Sequence, residues 1–478
     1  MYFTFLKFFS IFCILIKQHE TVEFDLDFVE SATFIDKTML LKKFLDEKHD
    51  PFCYVTSPRG FGKTTVLKMI DKFCNIELDK NHNPKHWSQT EAYKIFNKTK
   101  IAEDKETMRH LARYAVIYLD LNFTISKPSQ IDEFMVTKMF NERLHECFKR
   151  YEWLMHFYKR KYAQESGSSL NTSTNKIDVE FLEKALHVRD DDPDLKSVFK
   201  KLTDLDIEQS LTKLIEILYE HFNSSRVIVL IDNLDTTFNQ LYTLANKDQV
   251  SELTFLSNTI IIVLYNGFYL VNETVLKQAF CVGISNLAIN SEISDMIDDM
   301  QIYKFLDDDN NIYTPFMTFS EQDVNQLCEA NNCTQNDMKI IKTYCNGYRT
   351  SVNRTFVYNP ALVIEYLEQR NPKAIDILSN VTEHGNIINV FVKKSKDFKL
   401  YLATLLAGKS VTFSLWPKFN FSEFMELIQY TFENVYKKMF ESILTYCYDQ
   451  GFITHAKAKG HFVIPNKEMK NYIAEIKS

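Results

Sequence analysis

The chain has 478 residues, of which 45% are hydrophobic and 14% aromatic. This composition excludes a disordered polypeptide and provides a large packed core, enough for about two to four domains. The net charge of −7 excludes a protein-wide positive field that would attract nucleic acid. None of the nine cysteines forms a C-x-x-C pair, so neither a zinc ribbon nor a dithiol redox motif is indicated.

The chain begins with a distinct apolar segment, residues 1–23. Positions 2–16 are almost entirely apolar, interrupted by Lys7 and followed by Lys17. This stretch is too short for a typical membrane span, and it lacks the basic start and small cleavage-site residues of a typical signal peptide. Two interpretations stay open: a secretory protein, which is slightly favoured, or a cytoplasmic protein with an apolar extension. Membrane contact is expected only if the segment persists as an uncleaved anchor.

The predicted core, residues 24–300, starts with a short strand near Phe34 and a helix, and then carries its clearest motif. Residues 52–55 are an apolar run of strand length, and residues 63–73 place their apolar side chains on one helical stripe. A tight loop ending in Gly-Lys-Thr joins them. Strand, loop and helix in this order are typical of a phosphate-binding loop, because backbone N–H groups at a helix start attract an anion.

Nine residues of this motif are predicted to bind phosphates. Gly62 lets the backbone approach them, Lys63 reaches the β and γ oxygens, and the Thr64 hydroxyl can ligate Mg²⁺. The motif departs from the usual pattern at one position, because Ser57 stands where the first glycine is expected. The predicted set is Ser57, Pro58, Arg59, Gly60, Phe61, Gly62, Lys63, Thr64 and Thr65.

The next part of the core contains one strand and a long insertion. Residues 115–121 are an apolar run of strand length that ends near Asp120 and Asn122. A helical insertion is predicted over residues 129–222. It contains a Ser/Thr/Asn/Gly tract and an acidic turn, both typical of solvated loops, and no chemistry is assigned to them.

A second informative strand ends in an aspartate. Residues 226–232 contain five consecutive apolar residues followed by Asp232, with Asp235 shortly after. Such a run is typical of a central parallel strand, and ligands bind at the carboxyl edge of such sheets. An acid there, downstream of a phosphate loop, can hold Mg²⁺ directly or through water. Asp232 and Thr64 are therefore the predicted metal ligands.

The C-terminal half is predicted to be mostly helical. After a further strand at residues 279–284, a helical lid-like region is expected over 301–370, including a capped helix that starts at Asn359-Pro. Residues 371–478 form a second helical region. Its two short strands around a turn, at 451–454 and 461–466, indicate a winged-helix-like end.

Taken together and in this order, the motifs resemble the AAA-ATPase-like proteins. The resemblance covers about residues 24–472 and implies an α/β fold with a P-loop NTPase core, a parallel sheet, and ATP and Mg²⁺ as ligands. It rests on Ile35-Asp-Lys-Thr, Ser57-Pro-Arg-Gly-Phe-Gly-Lys-Thr, Leu230-Ile-Asp-Asn-Leu-Asp, Val282-Gly-Ile, Phe319-Ser-Glu-Gln-Asp-Val, Tyr344-Cys-Asn-Gly-Tyr, Tyr358-Asn-Pro and Ile464-Pro-Asn-Lys-Glu.

Three departures from the family pattern concern hydrolysis. The family usually has an Asp-Glu pair where this chain has Asp232-Asn233, and an amide cannot accept a proton as a carboxylate does. The family's polar residue before Gly-Ile is Val282 here, and a family arginine shortly afterwards is Asn286. The nuclease-like domain of many bacterial relatives is not expected, because the chain ends soon after the Pro-Asn-Lys-Glu segment.

Three functions are compatible with these patterns. The first is an ATP- and Mg²⁺-binding protein with weak or absent hydrolysis. The second is an active ATPase in which Asp235, or a residue of the insertion, replaces the missing glutamate, so Lys63 and Asp235 are the predicted catalytic residues. The third is a secreted interaction protein on a degenerate P-loop fold. An unidentified protein partner is expected in addition to ATP, and the sequence gives no sign of nucleic-acid binding.

Overall fold

In the computed structural model, the apolar leader, apart from Glu23, lies outside the described part of the chain. Much of the predicted insertion, residues 129–222, also lies outside the described part. The structure describes residues 23–46, 51–122, 133–165, 181–182, 185, 209–235, 262–264, 266–270, 274–285, 301–305, 311–349, 355–372, 388, 391–393, 395–415 and 437–477.

A five-stranded sheet forms the centre of the protein, with the strand order β2-β3-β4-β1-β5. Every pair of neighbouring strands is parallel. The three middle strands are buried along their whole length. The apolar runs of β1 and β3 predict this burial, whereas β4 also buries Lys277 and Gln278. The strands are β1 (Phe52–Thr56), β2 (Ala115–Asp120), β3 (Val227–Asp232), β4 (Leu276–Gly283) and β5 (Gln301–Lys304).

The register of the sheet brings the carboxyl ends of its strands to one edge. Asp120 at the end of β2 is paired with Asp232 at the end of β3. On the other side of β4, Thr56 at the end of β1 is paired with Gly283. The loop after β1 and the acidic end of β3 are therefore separated by a single strand, at the edge where open α/β sheets bind ligands.

Helices surround the sheet and continue into the C-terminal half. The helix after the loop, α3, buries Val66, Leu67, Ile70 and Phe73, which confirms the predicted stripe. The helices are α1 (Leu26–Glu30), α2 (Leu40–Phe44), α3 (Lys63–Cys74), α4 (Glu91–Phe96), α5 (Lys105–Met108), α6 (Glu133–Lys149), α7 (Glu152–Glu165), α8 (Ser210–His221), α9 (Thr314–Met317), α10 (Glu321–Ala330), α11 (Gln335–Tyr344), α12 (Pro360–Gln369), α13 (Lys396–Leu406), α14 (Lys437–Asp449) and α15 (Lys467–Lys477).

Two differences from the sequence predictions concern short strands. The strand expected near Phe34 is not formed, and the chain runs there as a turn and coil before α2. The edge strand β5 was not predicted. It is short and only its third residue, Tyr303, is buried, so it lacks the continuous apolar run that marks β1, β2 and β3.

The region after the sheet has its own apolar cluster beneath α10, α11 and α12. Both α10 and α11 begin with reciprocal capping boxes, Ser320 with Asp323 and Thr334 with Asp337. The Asn359 side chain caps α12 and Pro360 occupies its first turn, which confirms the predicted helix start.

The C-terminal region combines helices with a small antiparallel sheet. Strand β10 (His461–Val463) lies at the predicted second position. It pairs with β9 (Thr454–His455), which overlaps the predicted 451–454 only at Thr454, and with β8 (Val411–Thr412), which was not predicted. A separate two-stranded pairing joins β6 (Tyr348–Arg349) and β7 (Phe356–Val357). The predicted fold class, an α/β P-loop core with a mostly helical C-terminal region, is confirmed, whereas the proposed domain boundaries stay predictions.

Within the ranges given above, the structure contains no helix with the length and apolar character needed to span a membrane.

Candidate functional site

The loop after β1 turns into α3 through two glycines in the left-handed backbone region. Gly60 has a φ of 80° and Gly62, the N-cap of α3, has a φ of 72°. L-residues with a Cβ adopt this region only at a cost, so the turn favours glycine at both positions. A Cβ placed on Gly62 would meet no atom within 4 Å. The loop therefore borders open space directly at the start of the helix.

Ser57 replaces the first glycine of the usual motif, and its backbone explains why a side chain is tolerated. Ser57 is not among the residues with positive φ. Its N–H donates to the Gly283 carbonyl at 3.0 Å and so continues the pairing of β1 with β4. Its Oγ is buried and has no hydrogen-bond partner within the described part of the protein. A buried hydroxyl in that state costs free energy unless a ligand satisfies it, which fits a bound phosphate.

The outer side of the loop is packed against the rest of the protein. Phe61 is fully buried, with its ring 4.7 Å from Phe305 and 5.1 Å from Tyr348 between centroids. Pro58 lies so close to Gly451 that a Cβ there would approach its Cβ to 2.8 Å. These two side chains face away from the open space, so only their backbone groups can serve a ligand.

The start of α12 fixes the loop from the same side. The Asn359 side chain donates to the Arg59 carbonyl at 2.9 Å, and the Ala361 N–H donates to the Gly60 carbonyl at 3.0 Å. Carbonyl groups of the loop are thus turned toward α12. A turn whose carbonyls are engaged on one side is well arranged to present N–H groups on the other.

Lys63, the first residue of α3, folds back over the loop. Its Nζ donates to the Ser57 carbonyl at 2.6 Å and to the Pro58 carbonyl at 2.9 Å. Burial lowers the pKa of Lys63 from its ordinary value to about 8, with Arg59 adding to the decrease, while the carboxylates of Asp235 and Asp232 oppose it. The ammonium is poorly solvated and is therefore well suited to pairing with an anion.

The side chains of Thr64 and Asp232, the two predicted metal ligands, interact. A hydrogen-bond interaction with the Thr64 side chain lowers the pKa of the Asp232 carboxyl. That carboxylate also accepts from the Tyr118 hydroxyl at 3.1 Å and from the Asn233 N–H at 2.9 Å. Burial raises the pKa of Asp232, whereas the bond from Thr64 opposes the rise. A hydroxyl and a carboxylate are the ligands that Mg²⁺ takes beside phosphate and water.

Asp235, the predicted substitute catalytic base, is engaged in a different way. It is fully buried, and its two oxygens accept from the Ile284 N–H at 2.9 Å, the Ser285 N–H at 2.6 Å and the Ser285 hydroxyl at 2.9 Å. A Cβ on Gly283 would come within 2.7 Å of the same carboxylate. Asp235 therefore fastens the turn after β4 next to Lys63, and its contacts are those of a positioning residue.

We expect the replacement Asp235→Ala to lower the free energy of unfolding by about 3 kcal/mol, because it leaves buried N–H groups at Ile284 and Ser285 unsatisfied. Urea unfolding of the full chain measures the change. The exposed Asp397→Ala serves as the matched control and should stay within about 0.5 kcal/mol of the parent. An Asp235→Ala protein of unchanged stability that cannot release phosphate from ATP would instead give Asp235 a direct role in catalysis.

Asp120, at the end of β2, has a contact at the sheet edge although the sequence analysis assigned it no role in the site. The Asn233 side chain, at the position of the family's glutamate, donates through Nδ2 to Asp120 Oδ1 at 2.8 Å. Asn233 has a φ of 58°, which turns the chain sharply at the end of β3. The sequence does contain a signal for Asp120, because it ends the apolar run of β2 just as Asp232 ends that of β3. Only the pairing of β2 with β3 shows that the two acids are neighbours.

The other two departures are less informative. Val282 is buried in β4, as expected of an interior strand residue. Asn286 lies outside the described residues. No group of three or more His, Cys, Asp or Glu side chains that could hold a metal ion occurs in the described ranges.

The parallel sheet, the Gly-Lys-Thr loop at the start of α3 and the acid at the end of β3 define a P-loop protein of the nucleotide-binding α/β class. Residues 23–293 match the family described as predicted AAA-ATPase. This match covers more than half of the chain, which therefore belongs to the AAA-ATPase-like family and is a nucleotide-binding, P-loop ATPase-like protein.

Two solved structures show a distant likeness over most of the chain. The Aeropyrum pernix ORC2 protein, solved as ADPNP-ADP complexes, has a TM-score of 0.35 and 10% identity, covering 95% of this chain and 98% of that chain. CDC6P from Pyrobaculum aerophilum has a TM-score of 0.24 and 11% identity, covering 94% and 97%. Both scores are too low for either likeness to say anything about this chain. A comparison with curated proteins finds no match.

Proposed function

We propose that the protein binds ATP together with Mg²⁺ and hydrolyses it slowly. The contact between the Thr64 hydroxyl and the Asp232 carboxylate carries this proposal, because it joins the loop to the acidic strand end. The partly buried ammonium of Lys63 lies within the electrostatic reach of Asp232. A hydroxyl, a carboxylate and an ammonium in this arrangement match a triphosphate and its metal ion.

Each predicted binding residue has a proposed part. The backbone of Pro58, Arg59, Gly60, Phe61 and Gly62 surrounds the phosphates, as N–H groups at a helix start do. The unsatisfied Ser57 hydroxyl donates to a phosphate oxygen, and Lys63 neutralises the terminal phosphates. Thr64 and Asp232 hold Mg²⁺. Thr65, on the same turn of α3, contributes its backbone N–H.

Slow hydrolysis follows from the residue beside Asp232. Asn233 is an amide and cannot accept a proton from the attacking water, so any proton acceptor has to act from a position other than the family's, and general-base catalysis is worth about 10²–10⁴-fold in rate. The alternative in which Asp235 takes over this task is the weaker one, because its carboxylate is buried and already accepts three hydrogen bonds. A rate well below that of an ordinary ATPase is therefore proposed.

Titration of the full chain with a fluorescent ATP analogue, with and without Mg²⁺, tests binding. We expect saturable binding that tightens at least about tenfold when Mg²⁺ is present, since the metal links the phosphates to Asp232. Phosphate release measured on the same preparation is expected to be slow but above background. Absence of any nucleotide affinity in the presence of Mg²⁺ contradicts the proposal and favours the alternative, an interaction protein on a degenerate P-loop fold.

A further inference from the structure

We propose that Asp120, on the strand beside Asp232, is the carboxylate that accepts the proton of the attacking water, and that Asn233 holds it in place. This inference rests on the proposed ATP binding. It assigns the task of the missing glutamate to a side chain on the neighbouring strand β2, in contact with the amide at position 233.

The first argument is the contact between the two side chains. Asn233 Nδ2 donates to Asp120 Oδ1 at 2.8 Å, and the Asn122 N–H donates to the same oxygen at 2.9 Å. The second oxygen, Asp120 Oδ2, accepts no hydrogen bond from any residue that the structure describes. One oxygen therefore fixes the orientation of the carboxylate, and the other remains able to accept from water.

The second argument is position. Asp120 and Asp232 are register partners on adjacent parallel strands, which lie about 5 Å apart. Asp120 is thus directly beside the proposed metal ligand.

The third argument is elimination among the three described carboxylates at this end of the sheet. Asp232 is only 1% exposed, and its oxygens accept from Thr64, Tyr118 and Asn233. Asp235 is fully buried, and both of its oxygens are engaged. Asp120 is the member of this set that combines partial exposure to water with an oxygen open to a new hydrogen bond.

The step is a hydrolysis with water as the only co-reactant. The water oxygen forms a bond to the γ-phosphorus, and the bond from that phosphorus to the bridging oxygen of the β-phosphate breaks. ADP leaves with the electron pair of the broken bond. The proton lost by the water passes to Asp120, which later returns it to solvent. Asn233 touches neither water nor phosphate in this scheme and acts as a positioning residue.

Exchange of the two side chains tests the assignment. Asp120→Asn removes the proton acceptor and is expected to slow phosphate release about 10²–10³-fold while nucleotide affinity stays within about threefold. The double variant Asp120→Asn, Asn233→Asp places the acid at the position of the family's glutamate and the amide on β2. We expect the double variant to release phosphate at least about tenfold faster than Asp120→Asn does. A merely structural role of Asp120 cannot explain such a recovery.

The exposed Asp397→Asn is the matched control and should leave both binding and phosphate release unchanged. Undiminished phosphate release by Asp120→Asn overturns the assignment, and so does a double variant no faster than the single one. A parent protein that binds ATP but releases no phosphate above background also overturns it, although nucleotide binding itself then stands. If the parent protein does not bind nucleotide, the proposed ATP binding itself is contradicted, and the role of Asp120 fails together with it.

Discussion

The replacement Lys63→Met is expected to abolish nucleotide binding and, in the same protein, to stabilise the nucleotide-free fold. Lys63 folds over the loop, with its Nζ 2.6 Å from the Ser57 carbonyl. Charge-assisted hydrogen bonds to a phosphate are worth about 1.5–3 kcal/mol each, and a buried site strengthens them. Loss of the ammonium should therefore weaken binding of the ATP analogue at least about 100-fold.

The gain in stability follows from the pKa of Lys63, which burial lowers to about 8 from an ordinary value of 10.5. The unfolded chain holds this proton more tightly than the folded one does, so the charged lysine opposes folding below pH 8. A methionine removes that cost, on the order of 2 kcal/mol after allowance for the hydrogen bonds to the loop carbonyls. The stability of the parent rises with pH between 8 and 10.5, and the difference from Lys63→Met should shrink over that range.

Fluorescence titration measures the first effect, and urea unfolding at pH 7 and at pH 10 measures the second. Lys72→Met, in the last turn of the same helix, is the control, because Lys72 is remote from the loop and should affect neither quantity strongly. If the Lys63→Met protein keeps its affinity for the ATP analogue, the phosphates bind at a site other than this loop. Lys63→Met protein that is less stable than the parent at pH 7 would mean that the packing of the loop, and not the charge, dominates.

The second large effect is expected from Asp232→Asn, which should remove the dependence of nucleotide binding on Mg²⁺. The amide keeps the shape of the side chain and can still accept from the Tyr118 hydroxyl, which lies 3.1 Å away. It lacks the negative charge that a hard cation requires. The ratio of the dissociation constants without and with Mg²⁺ should fall from at least about ten to about one, whereas metal-free binding should change little or improve as negative charge is removed.

Titrations at several Mg²⁺ concentrations measure this ratio, with Asp397→Asn as the control. Thr64→Val should show the same trend with a smaller magnitude, because a neutral ligand is lost in place of a charged one. If Asp232→Asn keeps the full Mg²⁺ effect, the metal is bound by other groups, and the contact between Thr64 and Asp232 serves only to join the loop to the sheet.

The central elements of the protein could be predicted because their signals are local. The apolar stripe at Val66, Leu67, Ile70 and Phe73 requires only the period of a helix, and the run before Asp232 requires only a count of consecutive apolar residues. The start of α12 was predicted from Asn359-Pro for the same reason, since a cap acts within three residues.

The parts that could not be predicted depend on contacts between distant segments. The pairing of Asp120 with Asp232 joins positions more than 100 residues apart, and no local pattern specifies which strands are neighbours. Asp235 illustrates the same limit. Its place three residues after Asp232 suggested a reactive carboxylate, but the turn after β4 supplies two N–H groups and a hydroxyl that engage it.

Asn359 links the loop to the helical region that follows the sheet. Its Oδ1 caps α12 through the Ala361 N–H at 3.1 Å, while its Nδ2 supports the Arg59 carbonyl at 2.9 Å. The side-chain amide of Asn359 thus binds both the phosphate loop and the first turn of α12. If the phosphate loop moves when nucleotide binds, α12 must move with it or one of these hydrogen bonds must break. Asn359 therefore couples nucleotide binding to the helical region that follows the sheet.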